Sequence, residues 1–346
     1  MEPKTDYGAQ RTLLSILALV LLVYGLLGTL EINREPYTGY TISPDNVVTQ
    51  VRAGSPAETA GLRAGDSVAQ IDGRPVESVA AFFERGRPEI GSQGSVTVSR
   101  DGAAQTLAFT YAARPTADLL ATSGINVLIG LSFLVLGLLV YRRRPTRLSR
   151  LLCALSLMLA LLYLPGPFVA SVVLRRVWTA LVAFVVGVTL ATLLYYCLNY
   201  PRGQAGLASR PLVGRAIFAV APLVGLAIAL VNLLAPTLTA ANSMLLSSVA
   251  GVVYGGYVLL AIVAVVRSYL KASATERRAT GLDLIVRGVL IGWGPLVVVI
   301  LYHTLFPRAG DLPLERFWGV TAIALPIGLA LALMRLEPEA PTQAKA

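Results

Sequence analysis

"AGSPAETAGLRAGDSVAQIDGRPV", residues 53–76, is polar, small-residue-rich and punctuated by four glycines, and it stands inside a chain of otherwise long apolar runs. Its local grammar is specific. Ser55 is placed to cap a helix, Pro56 suits the first helical position because its missing N–H is not needed there, and Gly61 is placed to stop that helix after one to two turns. Gly65-Asp66 and Asp72-Gly73 then predict two tight turns around a short strand, "SVAQI". This is the signature of a small folded α+β unit, and it requires a different solvent from the rest of the chain.

The neighbouring sequence extends that unit. "NVVTQVRA" (residues 46–53) predicts a strand, and "SVTVSRDGAAQTLAFTY" (95–111) predicts a hairpin turning at Asp101-Gly102, where positive φ is required. "VESVAAFFERG" (76–86) predicts a second helix with Val79, Phe82 and Phe83 on its inner face.

The remainder is too apolar for one soluble core. Of 346 residues, 55% are hydrophobic and 14% charged, and the mean hydropathy is +0.68. Crossing the ~30 Å hydrocarbon layer takes about 20 apolar residues in a helix. Eight runs meet that condition: 12–30, 121–141, 149–174, 177–199, 213–236, 243–266, 284–306 and 317–335. "LPGPF" (164–168) predicts a kink or re-entrant break near the end of the third.

Lys and Arg fix the expected orientation. With an inside N-terminus, seventeen of the 29 basic residues fall in cytoplasmic segments and four in the opposite short loops, with the rest in the long segment 31–119, which weighs little. The expected plan is a cytoplasmic N-terminus (1–11), helix one (12–30), an extracytoplasmic domain with linkers (31–119), a seven-helix bundle (120–336) and a short cytoplasmic tail (337–346). The first run reads as an uncleaved signal anchor, since "GTLEINREP" has no small-x-small cleavage site. The +10 net charge is explained by this bias and by attraction to anionic lipid, not by nucleic acid.

The order "VVTQV…GSPAETAGLRAGDSVAQIDGRPV" resembles a bacterial PDZ domain spanning about residues 37–112, with the family pattern S-P-A-x-x-A-G-L-x-x-G-D followed by a strand and a D-G-x-x-V turn. The resemblance implies peptide binding by strand addition, with a terminal carboxylate held in a nest of backbone N–H groups. It assigns "YTGY" as the carboxylate loop, with Thr38, Gly39 and Tyr40 at the turn and Thr41 and Ile42 opening the edge strand. Val79 and Phe83 on the second helix form the facing wall. Pro44-Asp45 is expected to shorten the edge strand.

Catalytic constellations are missing from the sequence. There is one histidine, His303, so no H-E-x-x-H zinc site exists, and there is neither a G-x-S-x-G elbow nor a phosphate-binding G-x-x-x-x-G-K-[ST] loop. No Asp or Glu lies well inside a span, which argues against an ion-coupled transporter. No metal or cofactor is expected. Cys153 and Cys197 read as small buried apolar residues near cytoplasmic helix ends, not as a disulfide. Gly251 and Gly255 are expected to permit close helix approach, Asn126 or Asn232 to bond across helices, and Tyr254, Tyr257 and Trp293 to pack.

A second resemblance concerns the whole plan. One helix, an outside PDZ-like module and a helical bundle look like the N-terminal sensory half of quorum-sensing-type sensor histidine kinases. "ERRATGLDLIVRGVLIGWGPLVVV" (276–299) carries the local likeness: a charged E-R-R turn precedes Gly288, Gly292 and Pro295 at the family's G-x-x-x-G-x-x-P spacing, though two extra residues intervene. Neither a phosphoaccepting histidine nor a nucleotide-binding domain follows within these 346 residues.

The expectation is therefore a non-enzymatic, multi-pass protein of the bacterial inner membrane. Its PDZ domain binds a peptide or the C-terminus of an envelope protein and signals through the bundle to a separate cytoplasmic partner. The alternative is a membrane-anchored adaptor that recruits substrates to an envelope protease or chaperone.

Overall fold

The computed structural model describes residues 7–32, 34–43, 46–76, 87–201, 211–234, 240–305 and 315–336. Helix α1 (Tyr7–Ile32) leads into a β-rich unit, and a largely helical remainder follows. In the β-rich unit, β1 (Pro36–Tyr37), β2 (Tyr40–Ile42) and β3 (Val48–Val51) precede the one-turn α2 (Pro56–Thr59). Then come β4 (Ser67–Ile71), β5 (Arg74–Pro75), β6 (Gln93–Arg100), β7 (Ala103–Thr110) and β8 (Ala112–Ala113).

The turn chemistry behaves as the residue types dictate. Ser55 accepts from the Glu58 N–H at 3.2 Å as N-cap of α2, and the Glu58 carboxylate accepts in return from the Gly54 N–H at 2.6 Å. Gly61 follows at φ +85°. Asp72 and Gly73 (φ 51° and 73°) turn β4 into β5, and Asp101 and Gly102 (52° and 80°) turn β6 into β7. Two successive positive φ angles match the right-handed twist of the strands they join.

A four-stranded antiparallel sheet, ordered β5-β4-β6-β7, carries the core. Alternation along β6 turns Gly94, Val96 and Val98 inward, where they meet Val48, Ala57, Leu62, Val68, Ile71, Leu107, Phe109 and Tyr111. Gly94 lacks a side chain because a Cβ there would lie 2.6 Å from the Tyr111 ring. Two polar clamps close this small core. Arg100 gives two N–H bonds of 2.7 Å to the buried Asp66 carboxylate, which also accepts from the Arg63 N–H. Asp72 accepts from the Tyr111 hydroxyl at 2.6 Å and from the Ser95 N–H at 2.9 Å.

The helical part begins with α3 (Thr116–Leu119) and a π-turn (Leu120–Gly124), which run into α4 (Ile125–Arg143). It continues through α5 (Arg147–Tyr163), α6 (Val172–Asn199), α7 (Pro211–Leu234), α8 (Ala240–Lys271), α9 (Ala274–Thr280) and α10 (Leu282–Leu305). A 3-10 segment (Glu315–Ile323) and α11 (Ala324–Arg335) complete it. Helix α4 packs along α5, α6 along α7, and α10 along α11.

Five segments among the described residues are long and apolar enough to cross a membrane: Gly8–Ile32, Ile125–Arg143, Val172–Asn199, Pro211–Val231 and Ser248–Lys271. The others expected from hydropathy appear as helices too. Helix α5 has 17 residues, and α11 follows a 3-10 segment. The expected run 149–174 is shorter than hydropathy alone implies: α5 ends at Tyr163, Leu164 is extended, and α6 starts at Val172. Pro165 and Pro167 cannot continue the ladder, and the extended segment instead packs on α1, where a Cβ on Gly28 would lie 2.1 Å from the Pro165 carbonyl oxygen.

The glycine expectation needs a similar correction. Nothing lies within 4 Å of a Cβ built on Gly251 or Gly255, because that face of α8 points away from its neighbours. Close approach occurs at Gly187 and Gly225, where α6 and α7 meet backbone to backbone, and at Gly288 and Gly328 between α10 and α11. Asn126 is exposed and makes no side-chain hydrogen bond among the described residues, and the Asn232 side chain lies outside them. Tyr257 packs as expected, its buried hydroxyl donating to the Ile217 carbonyl at 2.8 Å. Cys153 and Cys197 are both buried and both free.

Candidate functional site

The candidate site is the loop between β1 and β2 with the edge strand that follows it. Gly39 sits there at φ +82° and is buried, and a Cβ in its place would lie 2.1 Å from the Ser55 Cβ. Only glycine satisfies both the backbone angle and the contact. The loop carbonyls point inward: Thr38 accepts from the Ala57 N–H at 3.0 Å and Gly39 accepts from the Arg52 N–H at 2.8 Å. With both carbonyls tied to the body of the domain, the Thr38 and Gly39 N–H groups have no acceptor among the described residues. This is the polarity of an anion-binding nest, with donors available and acceptors spent.

From this loop runs β2, which pairs only with β3 among the described residues, in the register Tyr40↔Val51, Thr41↔Gln50 and Ile42↔Val48. A register shift between Thr41 and Ile42 ends regular pairing after two residues. Pro44 and Asp45, expected to shorten this strand, lie outside the described residues. Tyr40 and Ile42 share one face of β2; Tyr40 packs against the domain core, while Ile42 remains 38% exposed at the edge. Thr41 points the other way, its hydroxyl 3.0 Å from that of Thr49.

Five predicted site residues, Thr38, Gly39, Tyr40, Thr41 and Ile42, are therefore contiguous in one loop and edge strand. Val79 and Phe83, the predicted facing wall, lie outside the described residues.

Ser55, expected only as a helix cap, and three residues without a predicted role, Arg52, Asp118 and Tyr37, brace the loop. Ser55 is buried directly beneath Gly39. Arg52, whose N–H holds the Gly39 carbonyl, forms an ion pair with Asp118 of α3, and the Tyr37 hydroxyl joins that pair. Burial lifts the Tyr37 phenol above its usual range; the Asp118 carboxylate adds to the shift and the Arg52 charge opposes it. No local signal announces this triad, because Asp118 is distant from Tyr37 and Arg52 in sequence.

The same loop is tied to both flanking helices. Strand β1 starts four residues after α1 ends and pairs with β8, which ends three residues before α3 begins. Glu35 and Arg114 form a salt bridge of 3.5 Å across this ladder. On the α1 side, Arg87 donates to the Glu31 carbonyl at 3.0 Å and lies over the Phe168 ring at 4.8 Å. The Glu31 carboxylate accepts from the Phe168 N–H at 2.6 Å.

Residues 27–110 match the PDZ domain family. That part of the chain is a PDZ domain, and PDZ domains generally bind peptide C-termini. No curated protein sequence matches the chain. The match ends before the helical bundle, so the likeness to sensor histidine kinases has no family match behind it.

Proposed function

We propose that this is a non-enzymatic, eight-span receptor-like protein of the bacterial inner membrane. In this reading the PDZ domain faces away from the cytoplasm and binds the free C-terminus of a peptide or envelope protein. Occupancy is passed through the bundle to a cytoplasmic partner. One observation carries the reading: the carboxylate loop is joined to the segments entering both flanking membrane helices, by the β1–β8 ladder and by Arg52–Asp118. A carboxylate seated at Gly39 would lie against the group that grips the start of the α3–α4 segment.

The distribution of charge supports the orientation. Arg11, Arg142, Arg144, Arg150 and Arg335 gather where α1 begins and α4 ends, and the PDZ domain sits where α1 ends and α4 begins. Cytoplasmic ends are the ones that accumulate Arg and Lys. An adaptor that only recruits substrates needs a binding loop but no ties to α1 and α4, so the ties favour the receptor reading.

Trp178 separates the two. It packs on Tyr24 of α1 with ring centroids 5.2 Å apart, and neither residue belongs to the loop. In full-length protein carrying Trp293→Phe and Trp318→Phe, a Trp-free peptide with a free C-terminus is expected to change Trp178 emission, and its amidated form is not. Binding without any emission change would favour the adaptor, and no binding of either peptide would remove the peptide-receptor reading.

A further inference from the structure

Away from the PDZ domain, the first half of α1 and the last half of α4 do not close against each other. A groove of about 900 Å³ runs between them, lined by Arg11, Ser15, Leu19 and Leu22 on one side and Val135, Leu138 and Arg142 on the other. Its floor is Ala18, 5% exposed, and Leu134, also 5% exposed. It opens sideways along its length, toward the space that lipid occupies if these helices span a membrane.

The two ends of the groove differ in chemistry. At one end the guanidinium of Arg142 donates to the Ser15 hydroxyl at 3.0 Å, and that of Arg11 reaches the Arg142 carbonyl at 3.4 Å. A guanidinium carries five N–H donors, so these two bonds leave most of the donor capacity unspent. Neither arginine has a carboxylate partner among the described residues. The other end is lined by leucine and valine alone.

Length selects the occupant. From Arg11 to Leu22 the helix advances roughly 16 Å at ~1.5 Å per residue, which is about half of a ~30 Å hydrocarbon core, the depth of one leaflet. A ligand with an anionic head and an apolar tail one leaflet long fits both ends at once. Free phosphate would leave the apolar wall bare, and a neutral lipid would leave the two arginines without a counter-charge.

We propose that this groove seats one anionic phospholipid, its phosphate on Arg11 and Arg142 and an acyl chain along Leu19, Leu22, Val135 and Leu138. The lipid would fill the gap that α1 leaves against the bundle. The site is independent of peptide binding by the PDZ domain.

The test uses delipidated full-length protein in detergent, with dioleoyl phosphatidylglycerol and dioleoyl phosphatidylcholine as probes and native mass spectrometry as readout. One retained phosphatidylglycerol per chain is expected, with phosphatidylcholine retained about tenfold less. Removing the two charges in R11Q/R142Q is expected to weaken phosphatidylglycerol retention about thirtyfold, in keeping with the attraction of each surface arginine to anionic lipid. Val135 is 57% exposed, so V135W leaves the packing intact, keeps both arginines and fills the apolar slot; it too is expected to lose the bound lipid. Equal retention of the two lipids would overturn the proposal, as would wild-type retention by either variant. Displacement of the lipid by millimolar inorganic phosphate would overturn the lipid as occupant, and a lipid-free dimer would assign the groove to a second copy.

Discussion

The PDZ domain and the helical bundle solve the packing problem in opposite ways. The domain surrounds ten buried apolar residues with polar clamps, Asp66–Arg100 and Asp72–Tyr111, that fix the turns around them. In the bundle, helix pairs hold together where glycine lets backbones touch, while most of α1 and much of α8 show leucine and valine outward. A small domain in water lacks the apolar area to dispense with directional bonds. Helices in lipid gain little from hiding leucine and depend on close fit instead.

The sharpest way to break this comparison is at Gly187. A Cβ there would lie 2.4 Å from the Ala221 carbonyl oxygen, a backbone atom that cannot rotate away. Gly187→Leu is expected to destabilise the protein by about 1–3 kcal/mol or more through forced separation of α6 and α7. Gly251→Leu, with open space around it, is expected to change little. Thermal unfolding of both variants in the same detergent checks the pair, and equal losses would mean that close approach is not what holds the bundle.

Next in size is the response of the domain to acid. The Arg100 hydrogen bonds hold the Asp66 carboxyl below the usual carboxylate range, outweighing the opposite effect of burial. A lowered folded-state value stabilises the domain fully above the unfolded pKa of about 3.9 and loses that contribution as pH falls through the folded value. Below about pH 4, the wild-type domain is therefore expected to lose stability more steeply than Asp66→Asn, which has no carboxyl to protonate. Tyr111 near-ultraviolet circular dichroism across pH 2–6 reads this, and identical slopes would show that Asp66 is not the group responsible.

How far the sequence could reveal this follows from the range of each interaction. Short-range features were legible because the residue type alone decides them: the Ser55 cap, the stop at Gly61, and the turns at Asp72-Gly73 and Asp101-Gly102. Gly39 was legible as a loop residue, but its contact with Ser55 was not, since that depends on how β3 returns beneath the loop. Gly187 and Gly251 look alike in an apolar run, and only the direction of each helix face separates them. Arg52 and Asp118 were invisible as a pair because α2 and strands β4 to β8 lie between them in sequence. The far wall assigned to Val79 and Phe83 rests on the family resemblance alone.

The finest test compares the two ion pairs that tie the domain to the flanking apolar helices. Glu35–Arg114 spans 3.5 Å with side chains 46% and 29% exposed, so water and salt weaken it. A double-mutant cycle of Glu35→Gln and Arg114→Gln is expected to give about 0.2–1 kcal/mol of coupling. Asp118 is only 10% exposed, and its partner Arg52 also holds the Gly39 carbonyl through its N–H. The corresponding cycle with Asp118→Asn and Arg52→Gln is expected to give larger coupling that persists in high salt, because the pair is sheltered and the tyrosine hydroxyl belongs to the same network. If both cycles gave the same small, salt-sensitive value, the ion pairs would add little to the β1–β8 ladder in fastening the loop to the flanking helices, and the proposed role of Arg52 as the link between peptide and bundle would fall.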